Sequence, residues 1–292
     1  MKNVLFLFFT SCLLLICWQQ PVDAQVLSSL SKKEFKLLSY NVLYGLQNND
    51  TIKNMFVEWV KQVDPDVIAF QEMNDFTQKS LEEFAGRYGH SYAVQSKTEG
   101  FPVALTSKYP IVNVQKVVDN MWHAYLYANI NGVHMMVIHF SPFSYEKRQK
   151  EVREVLARAA LVSEGEKVAI MGDFNSLAAI DAFRYSQEML EARKQSEISH
   201  AHIRNLNNGQ LDYTVTNAML EAGYIDLLKK FHPDFVYTIG SLKYRSKFLS
   251  RIDYVWTNKE LSNCATSMNV LYDEATEQMS DHYPLLVTFK LD

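Results

Sequence analysis

Apolar and polar positions fall into two regimes along this chain, and the switch between them predicts its elements. Phe35 to Tyr40 is a short apolar run ending in Asn41, bounded too tightly for a helix, and reads as a buried strand. From Thr51 to Val63 the apolar residues Ile52, Met55, Phe56, Trp59, Val60 and Val63 recur at helical spacing, with Asp50 as expected N-cap and Asp64-Pro65 as the stop. Val67 to Phe70 is a second buried strand closed by Gln71-Glu72, so strand, helix and strand put Asn41 and Glu72 at one sheet edge. From Ser91 the helical period disappears and strands are expected at Tyr92–Gln95, Val103–Ser107, Ile111–Val118, Ala124–Ile130 and Met135–His139. Asn131-Gly132 marks a tight hairpin, and the consecutive run predicts antiparallel sheet. Ser144 to Val162 reads as an amphipathic helix and Val168 to Met171 as a buried strand leading to Asp173. Helix and loop are expected between Ala178 and Tyr224, then strands at Ile252–Trp256, Ala265–Leu271 and Leu285–Leu291.

The N-terminus belongs to a different pattern. Lys2 precedes an apolar stretch from Val4 to Ile16, and Val22-Asp23-Ala24 forms a small-residue site before Gln25, which predicts a signal peptide over residues 1–24 and an exported protein. The stretch is shorter than the roughly 20 residues that span a bilayer. A lipoprotein anchor at Cys17 ranks second, because Ile16 is a poor small residue before it. Residues 25–292 carry no Pro/Gly/Ser-rich linker and no repeat, and are expected to form a single domain, without an obligate protein partner and monomeric. Cys12 and Cys17 lie in the leader, so Cys264 stands alone in the mature chain and reads as a small buried residue. At 48% hydrophobic and 21% charged residues the chain can bury a large core. A net charge of −4 gives no long-range attraction to nucleic acid, leaving only local basic patches to supply it.

Asn41, Glu72, Asp173, Asn175, Asp253, Asp281 and His282 each terminate or interrupt an apolar strand-like run, where a carboxylate is costly unless paired or metal-bound. The segments that carry them are Leu38-Ser39-Tyr40-Asn41-Val42, Val67-Ile68-Ala69-Phe70-Gln71-Glu72, Met171-Gly172-Asp173-Phe174-Asn175, Arg251-Ile252-Asp253-Tyr254-Val255 and Ser280-Asp281-His282-Tyr283-Pro284-Leu285. In this order they resemble the endonuclease/exonuclease/phosphatase family, which includes deoxyribonuclease I, abasic-site endonucleases, sphingomyelinases and inositol polyphosphate 5-phosphatases. The resemblance implies a four-layer α/β sandwich, two packed mixed and mainly antiparallel sheets with helices on the outer faces. It also implies a Mg²⁺-dependent hydrolase of phosphate esters, with Mn²⁺ as a substitute.

By the same resemblance Glu72 is the leading metal ligand, aided by Asn41 and Asp281. Asp173 orients or deprotonates the attacking water, and the amide of Asn175 donates to the nonbridging oxygens. His282 contacts the phosphate while Asp253 fixes its tautomer and raises its pKa. An oxygen-donor set suits a hard cation, and no Cys/His cluster has zinc spacing. His139, ending Val137-Ile138-His139, resembles the deoxyribonuclease, sphingomyelinase and inositol phosphatase branches, and is expected to donate to a phosphate oxygen or protonate the leaving group. Abasic-site enzymes carry Asn there and Asp where this chain has Leu43, so both positions depart from the repair branch.

For the substrate, the basic and aromatic segment Lys243-Tyr244-Arg245-Ser246-Lys247-Phe248 with Arg251 is the candidate surface, so Arg245, Lys247 and Arg251 are expected to bind it. The charges of Lys147, Arg148, Lys150, Arg153 and Arg158 alternate with Glu146, Glu151 and Glu154 and read as a solvated helix face. The order of expectation is a phosphodiesterase acting on nucleic acid or a smaller diester, then a sugar or inositol phosphomonoesterase, then a sphingomyelinase. A catalytically silent phosphate- or protein-binding module is the alternative from another class. It is disfavoured because Glu72, Asp173, Asn175 and His282 are all present.

Overall fold

The structure, a computed structural model, describes residues 33–244 and 246–291; the segment expected to be a signal peptide, with Cys12 and Cys17, and Arg245 lie outside the described residues. Residues 34–291 form one compact unit. Fourteen strands are described, β1 (Lys33–Asn41), β2 (Val67–Gln71), β3 (Tyr92–Gln95), β4 (Ala104–Ser107), β5 (Ile111–Val117), β6 (Ala124–Ile130), β7 (Val133–His139), β8 (Lys167–Asp173), β9 (Leu206–Asn207), β10 (Gln210–Leu211), β11 (Ile225–Asp226), β12 (Asp253–Thr257), β13 (Ala265–Val270) and β14 (Leu285–Leu291). One six-stranded sheet runs β13-β14-β1-β2-β4-β3 and the other β11-β12-β8-β7-β6-β5, with β9 and β10 as a separate hairpin. The pairs β1–β2 and β7–β8 are parallel, while β2–β4, β3–β4, β5–β6, β6–β7, β8–β12, β11–β12 and β13–β14 are antiparallel.

Alternation within each strand builds the layers. Phe35 and Leu37 of β1, Val67 and Ala69 of β2, Val137 of β7, Met171 of β8 and Val255 of β12 meet in one core between the sheets. The opposite faces, Leu38, Tyr40, Ile68 and Phe70, pack against α1 (Asp50–Val63) and α2 (Gln78–Gly86). On the other sheet Met136, Ile138, Val168 and Ile170 pack beneath α3 (Tyr145–Ala159) and α5 (Thr214–Glu221), whereas α4 (Gln187–Ser199) puts Met189 into a smaller cluster with Leu177 and Ile252. Central strands buried on both faces have no polar alternation, which is why they read as continuous apolar runs. The result is the expected four-layer sandwich.

Three details differ from the sequence reading. The N-cap of α1 is Asn49, whose side chain accepts from Thr51 and Ile52 N–H, so Asp50 is the first helical residue. The strand run after Ser91 is split, β3 and β4 closing the first sheet and β5 to β7 the second, since the Lys108–Pro110 connection crosses between layers. Helix α2 was not foreseen; its buried face is only Leu81, Phe84 and Ala85, too few apolar positions to show a period. The Asn131-Gly132 turn has φ of 51° and 77°, as a type I′ hairpin requires. Among the described residues no helix is long and apolar enough to cross a membrane.

Candidate active site

Strand register brings the polar strand ends together. Asn41 pairs with Gln71, one residue before Glu72, in the first sheet. In the second, Asp173 is flanked by His139 on β7 and Asp253 on β12. Ile239 bridges to His282, just ahead of β14, so all of these ends open on one edge of the sandwich. Ser280 ties two of the motifs, donating to Asn41 C=O at 2.7 Å and accepting from His282 N–H at 3.1 Å.

Gly172 sets the approach of β8 to β7. Its φ is 135°, and a Cβ there would lie 2.0 Å from the Ile138 carbonyl oxygen, so only glycine permits this turn. Asp173 follows, buried, its Oδ1 accepting from Asn175 N–H at 2.8 Å and its Oδ2 from the Asn41 amide at 3.2 Å. His139 Nε2 lies 3.5 Å and His282 Nε2 3.8 Å from the same Oδ2. Burial, reinforced by the Asp253 carboxylate, raises the Asp173 pKa, while the His282 cation and the Asn175 N–H oppose the rise. Asn175 has φ of 48°, in the left-handed region, and its amide donates to Phe140 C=O at 3.1 Å. An amide nitrogen has two hydrogens, so one remains to face the cleft.

His282 Nδ1 donates to Asp253 Oδ2 at 2.9 Å, and that oxygen also accepts from Thr238 Oγ1 at 2.6 Å. Burial alone would lower the imidazole pKa, but the carboxylates of Asp253, Asp173 and Asp281 outweigh it and hold it well above its ordinary value. His282 is therefore a cation at neutral pH, as expected. His139 differs: burial, then His123 and His282, lower its pKa well below the ordinary value. Its ring stacks on His123 with centroids 4.1 Å apart, and its Nδ1 has no hydrogen-bond partner among the described residues. A neutral ring can donate or accept a hydrogen bond, the first of the two roles expected of it.

Glu72 is half-buried, in a left-handed conformation with φ of 63°. Its Oε1 accepts from Asn41 Nδ2 at 3.2 Å and its Oε2 from Tyr44 N–H at 3.1 Å. Residues 43–48 all have positive φ, a left-handed turn that brings these amides to the carboxylate and stores strain beside the site. Burial raises the Glu72 pKa. Four carboxyl groups, Glu72, Asp173, Asp253 and Asp281, thus gather around one imidazolium, His282, with oxygen donors and excess negative charge. That donor set fits a hard divalent cation at Glu72, Asn41 and Asp281. The spacing of Asp173, Asp253 and His282, with donor atoms within 4.8 Å of one another, would also admit a metal. Here, however, both His282 nitrogens are directed at carboxylates, an arrangement suited to holding a proton.

Glu72, His139, Asp173, Asn175, Asp281 and His282 line a cleft of about 610 Å³ whose other wall is aromatic, built from Tyr44, Phe101, Trp122, His123 and Phe143. Lys97 is the one Lys or Arg among the described residues lining it. The Trp122-His123 and Pro142-Phe143 segments of that wall hang on Glu151 of α3, a fully buried carboxylate accepting from Trp122 N–H at 2.5 Å and Ser141 N–H at 2.8 Å. Arg148, also buried, donates to Ser141 C=O and to Asn205 Oδ1. The reading of this helix face as solvated is corrected for Arg148 and Glu151, because i, i+3 spacing puts both under the loops that cross α3. Thr238, Lys97 and His123 were also missed; only the position of Trp122-His123 ahead of a strand could have drawn notice.

The expected substrate patch does not hold together. Arg251 is completely buried, its guanidinium paired with Asp181 at 2.7 Å and Asp226 at 2.5 Å, and it cannot reach a substrate. Lys247 is exposed, paired with Glu188, and lies outside the residues that line the cleft. Arg245 lies outside the described residues.

Similarity to known proteins agrees with this geometry. The sequence profile of the Endonuclease/Exonuclease/phosphatase family matches residues 38–282. No curated protein matches the chain. Among solved structures, an AP endonuclease from Archaeoglobus fulgidus superposes with a TM-score of 0.66 at 22% identity, covering 88% of this chain and 100% of the other. A 3′ phosphatase from Neisseria bound to product DNA hairpin gives 0.64 at 20% identity, and a 3′-5′ exonuclease from Neisseria Meningitidis 0.63 at 19%, with the same coverage of both chains. At these identities the superpositions show a shared fold. The profile match extends from Leu38, ahead of Asn41, to His282, the last of the polar residues gathered on this edge, and this chain belongs to the endonuclease/exonuclease/phosphatase family.

Proposed function

We propose that the protein hydrolyses a phosphodiester by in-line attack of water, with a divalent cation, Mg²⁺ in the first instance, held by Glu72, Asn41 and Asp281. The observation that carries this reading is the meeting of Asp173, Asn175, His139 and the Asp253–His282 pair with the Glu72–Asn41 carboxylate arm at one mouth. When bound, the cation supplies charge neutralisation at the phosphoryl and leaving oxygens.

Every other part of the reaction falls to the chain itself. Asp173 Oδ2 is the carboxylate oxygen placed to take a hydrogen bond from water, and Oδ1 is fixed by the Asn175 backbone. His282, charged and oriented by Asp253, donates from Nε2 to a nonbridging oxygen, and the free hydrogen of the Asn175 amide donates to another. His139 gives a neutral third donor. The aromatic wall excludes water on the side of the organic group.

Of the similar solved structures, one is a 3′ phosphatase bound to a product DNA hairpin and the others are an AP endonuclease and a 3′-5′ exonuclease, which supports a nucleic-acid fragment or smaller diester as substrate. Export after removal of residues 1–24 is part of the proposal, supported by the leader's apolar run and small-residue site. The test is turnover of plasmid DNA, RNA, bis-p-nitrophenyl phosphate, p-nitrophenyl phosphate, inositol phosphates and sphingomyelin with Mg²⁺ and with chelator. Release is expected from a diester, lost with chelator, and reduced at least tenfold in kcat/KM by Asp173→Asn, a loss above about 1.4 kcal/mol. A folded Asp173→Asn variant that keeps more than a tenth of the activity would refute the role given to Asp173.

A further inference from the structure

Beside the catalytic cleft lies a second cavity of about 360 Å³, lined by Met189, Arg193 and Ser196 of α4, by Ser246, Phe248 and Ser250, and by Asn175, Ile239 and Ile252. The last three also line the catalytic cleft, so the two spaces share a wall at the residue whose amide faces the scissile phosphate.

Arg193 is the unusual occupant of that wall. The other buried arginines of the fold are paired: Arg251 with Asp181 and Asp226, Arg148 with Ser141 C=O and Asn205. Arg193 is half-buried, yet among the described residues it makes no ion pair and donates no hydrogen bond. Its natural partner on α4 is Glu197, one turn on, where an i, i+4 pair would be expected. Glu197 is engaged elsewhere, accepting from Leu206 N–H at 2.6 Å. Burial lowers the Arg193 pKa, and Tyr185, Tyr213 and the more distant Glu197 carboxylate offset that only in part. A guanidinium stays charged in a protein, so a half-desolvated one facing a cavity is completed by an anion from outside. The hydroxyl of Ser196 on the same cavity is of the type that adds a donor to a phosphate, whereas that of Ser246 is already given to Phe248 C=O at 2.8 Å.

We propose that Arg193, with Ser196, forms a second anion subsite that receives a non-scissile phosphoryl group of the substrate while the scissile one sits at Asp173 and His282. The proposal rests on the phosphoesterase reading above and narrows it to substrates bearing two phosphoryl groups within one nucleotide unit or a comparable span. A planar guanidinium grips such a group through paired N–H donors, which an ammonium cannot reproduce.

The experiment is titration calorimetry with Mg²⁺ present, in the Asp173→Asn background to suppress turnover, using thymidine 3′,5′-bisphosphate and thymidine 5′-monophosphate as probes. The bisphosphate is expected to bind at least tenfold more tightly. Arg193→Met, which keeps the stem and removes the charge, is expected to abolish that preference and leave monophosphate affinity within twofold. Arg193→Lys is expected to restore only part of it. A circular-dichroism melt coincident with the parent's shows that α4 is intact in each variant. Equal binding of the two probes, or an Arg193→Met effect that is the same for both, overturns the subsite while the phosphoesterase reading stands. Binding of neither probe, together with no turnover of any phosphate ester by wild-type protein, overturns both.

Discussion

At the residue scale the turn after β8 shows how far a few atoms constrain the site. A methyl group on Gly172 would sit 2.0 Å from Ile138 C=O, at a φ of 135° that other residues rarely adopt. Gly172→Ala must part β7 from β8 and displace Asp173, and is expected to cost about 3 kcal/mol or more, a fall in Tm of at least about 6 °C. Gly132→Ala is the control: φ there is 77° and nothing lies within 4 Å of the added Cβ, so only backbone strain of about 1 kcal/mol is expected. Calorimetric melts of the two variants compare the effects directly, and equal shifts would remove the steric account. Gly172 was legible because it sits in a motif whose neighbours carry the chemistry. Arg251 was not, because an arginine two residues before Asp253 looks the same in sequence whether it faces substrate or is locked between Asp181 and Asp226. Those acids come from distant segments, and only the fold reveals that they neutralise it.

Helix α3 shows the same limit at the scale of elements. Its period is plain in the sequence, but the register of Arg148 and Glu151 under two crossing loops depends on where Trp122 and Ser141 end up, which no local pattern encodes. Glu151→Gln replaces an acceptor with an NH₂ group facing a backbone N–H. It is expected to cost about 1–3 kcal/mol and to raise KM as the Trp122–Phe143 wall loosens. An unchanged KM in the folded variant would show that the wall does not need this strut. His90 plays a comparable part where α2 joins β3. Its Nε2 donates to Pro65 C=O, so in the neutral ring Nδ1 accepts from Thr106 Oγ1, at 2.9 Å for each bond. Burial, then Lys108, lowers its pKa below the ordinary value of about 6.5. Between the lowered folded pKa and about 6.5 the unfolded chain binds more protons than the native one. This histidine therefore contributes stability that is full above about pH 6.5 and is lost as pH falls below it. The wild-type Tm is expected to drop more steeply than that of His90→Gln between pH 7 and 5; parallel curves would mean that His90 is not the group that titrates.

Over the whole molecule, strands from both sheets converge acidic ends on one edge, and sequence order alone made that edge visible because each strand stops at its polar residue. The depth of the imbalance became visible only on assembly. Glu72, Asp173, Asp253 and Asp281 meet a single charged histidine, in a protein whose net charge is already −4. Bringing these carboxylates together costs stability in the free protein, and a cation that binds only the folded state returns it. At a Mg²⁺ concentration 100 times its Kd the linkage amounts to about 2.7 kcal/mol. For a domain of this size that is a rise in Tm of about 5–10 °C. Glu72→Gln keeps the shape and removes one charge, so its free form is expected to melt at or above the wild type, while its Mg²⁺ shift falls below about 2 °C. Stability and cation response then move in opposite directions in one variant. A Glu72→Gln protein that keeps the full Mg²⁺ shift would place the cation elsewhere on this edge, with Asp173, Asp253 and His282 as the remaining cluster of suitable spacing.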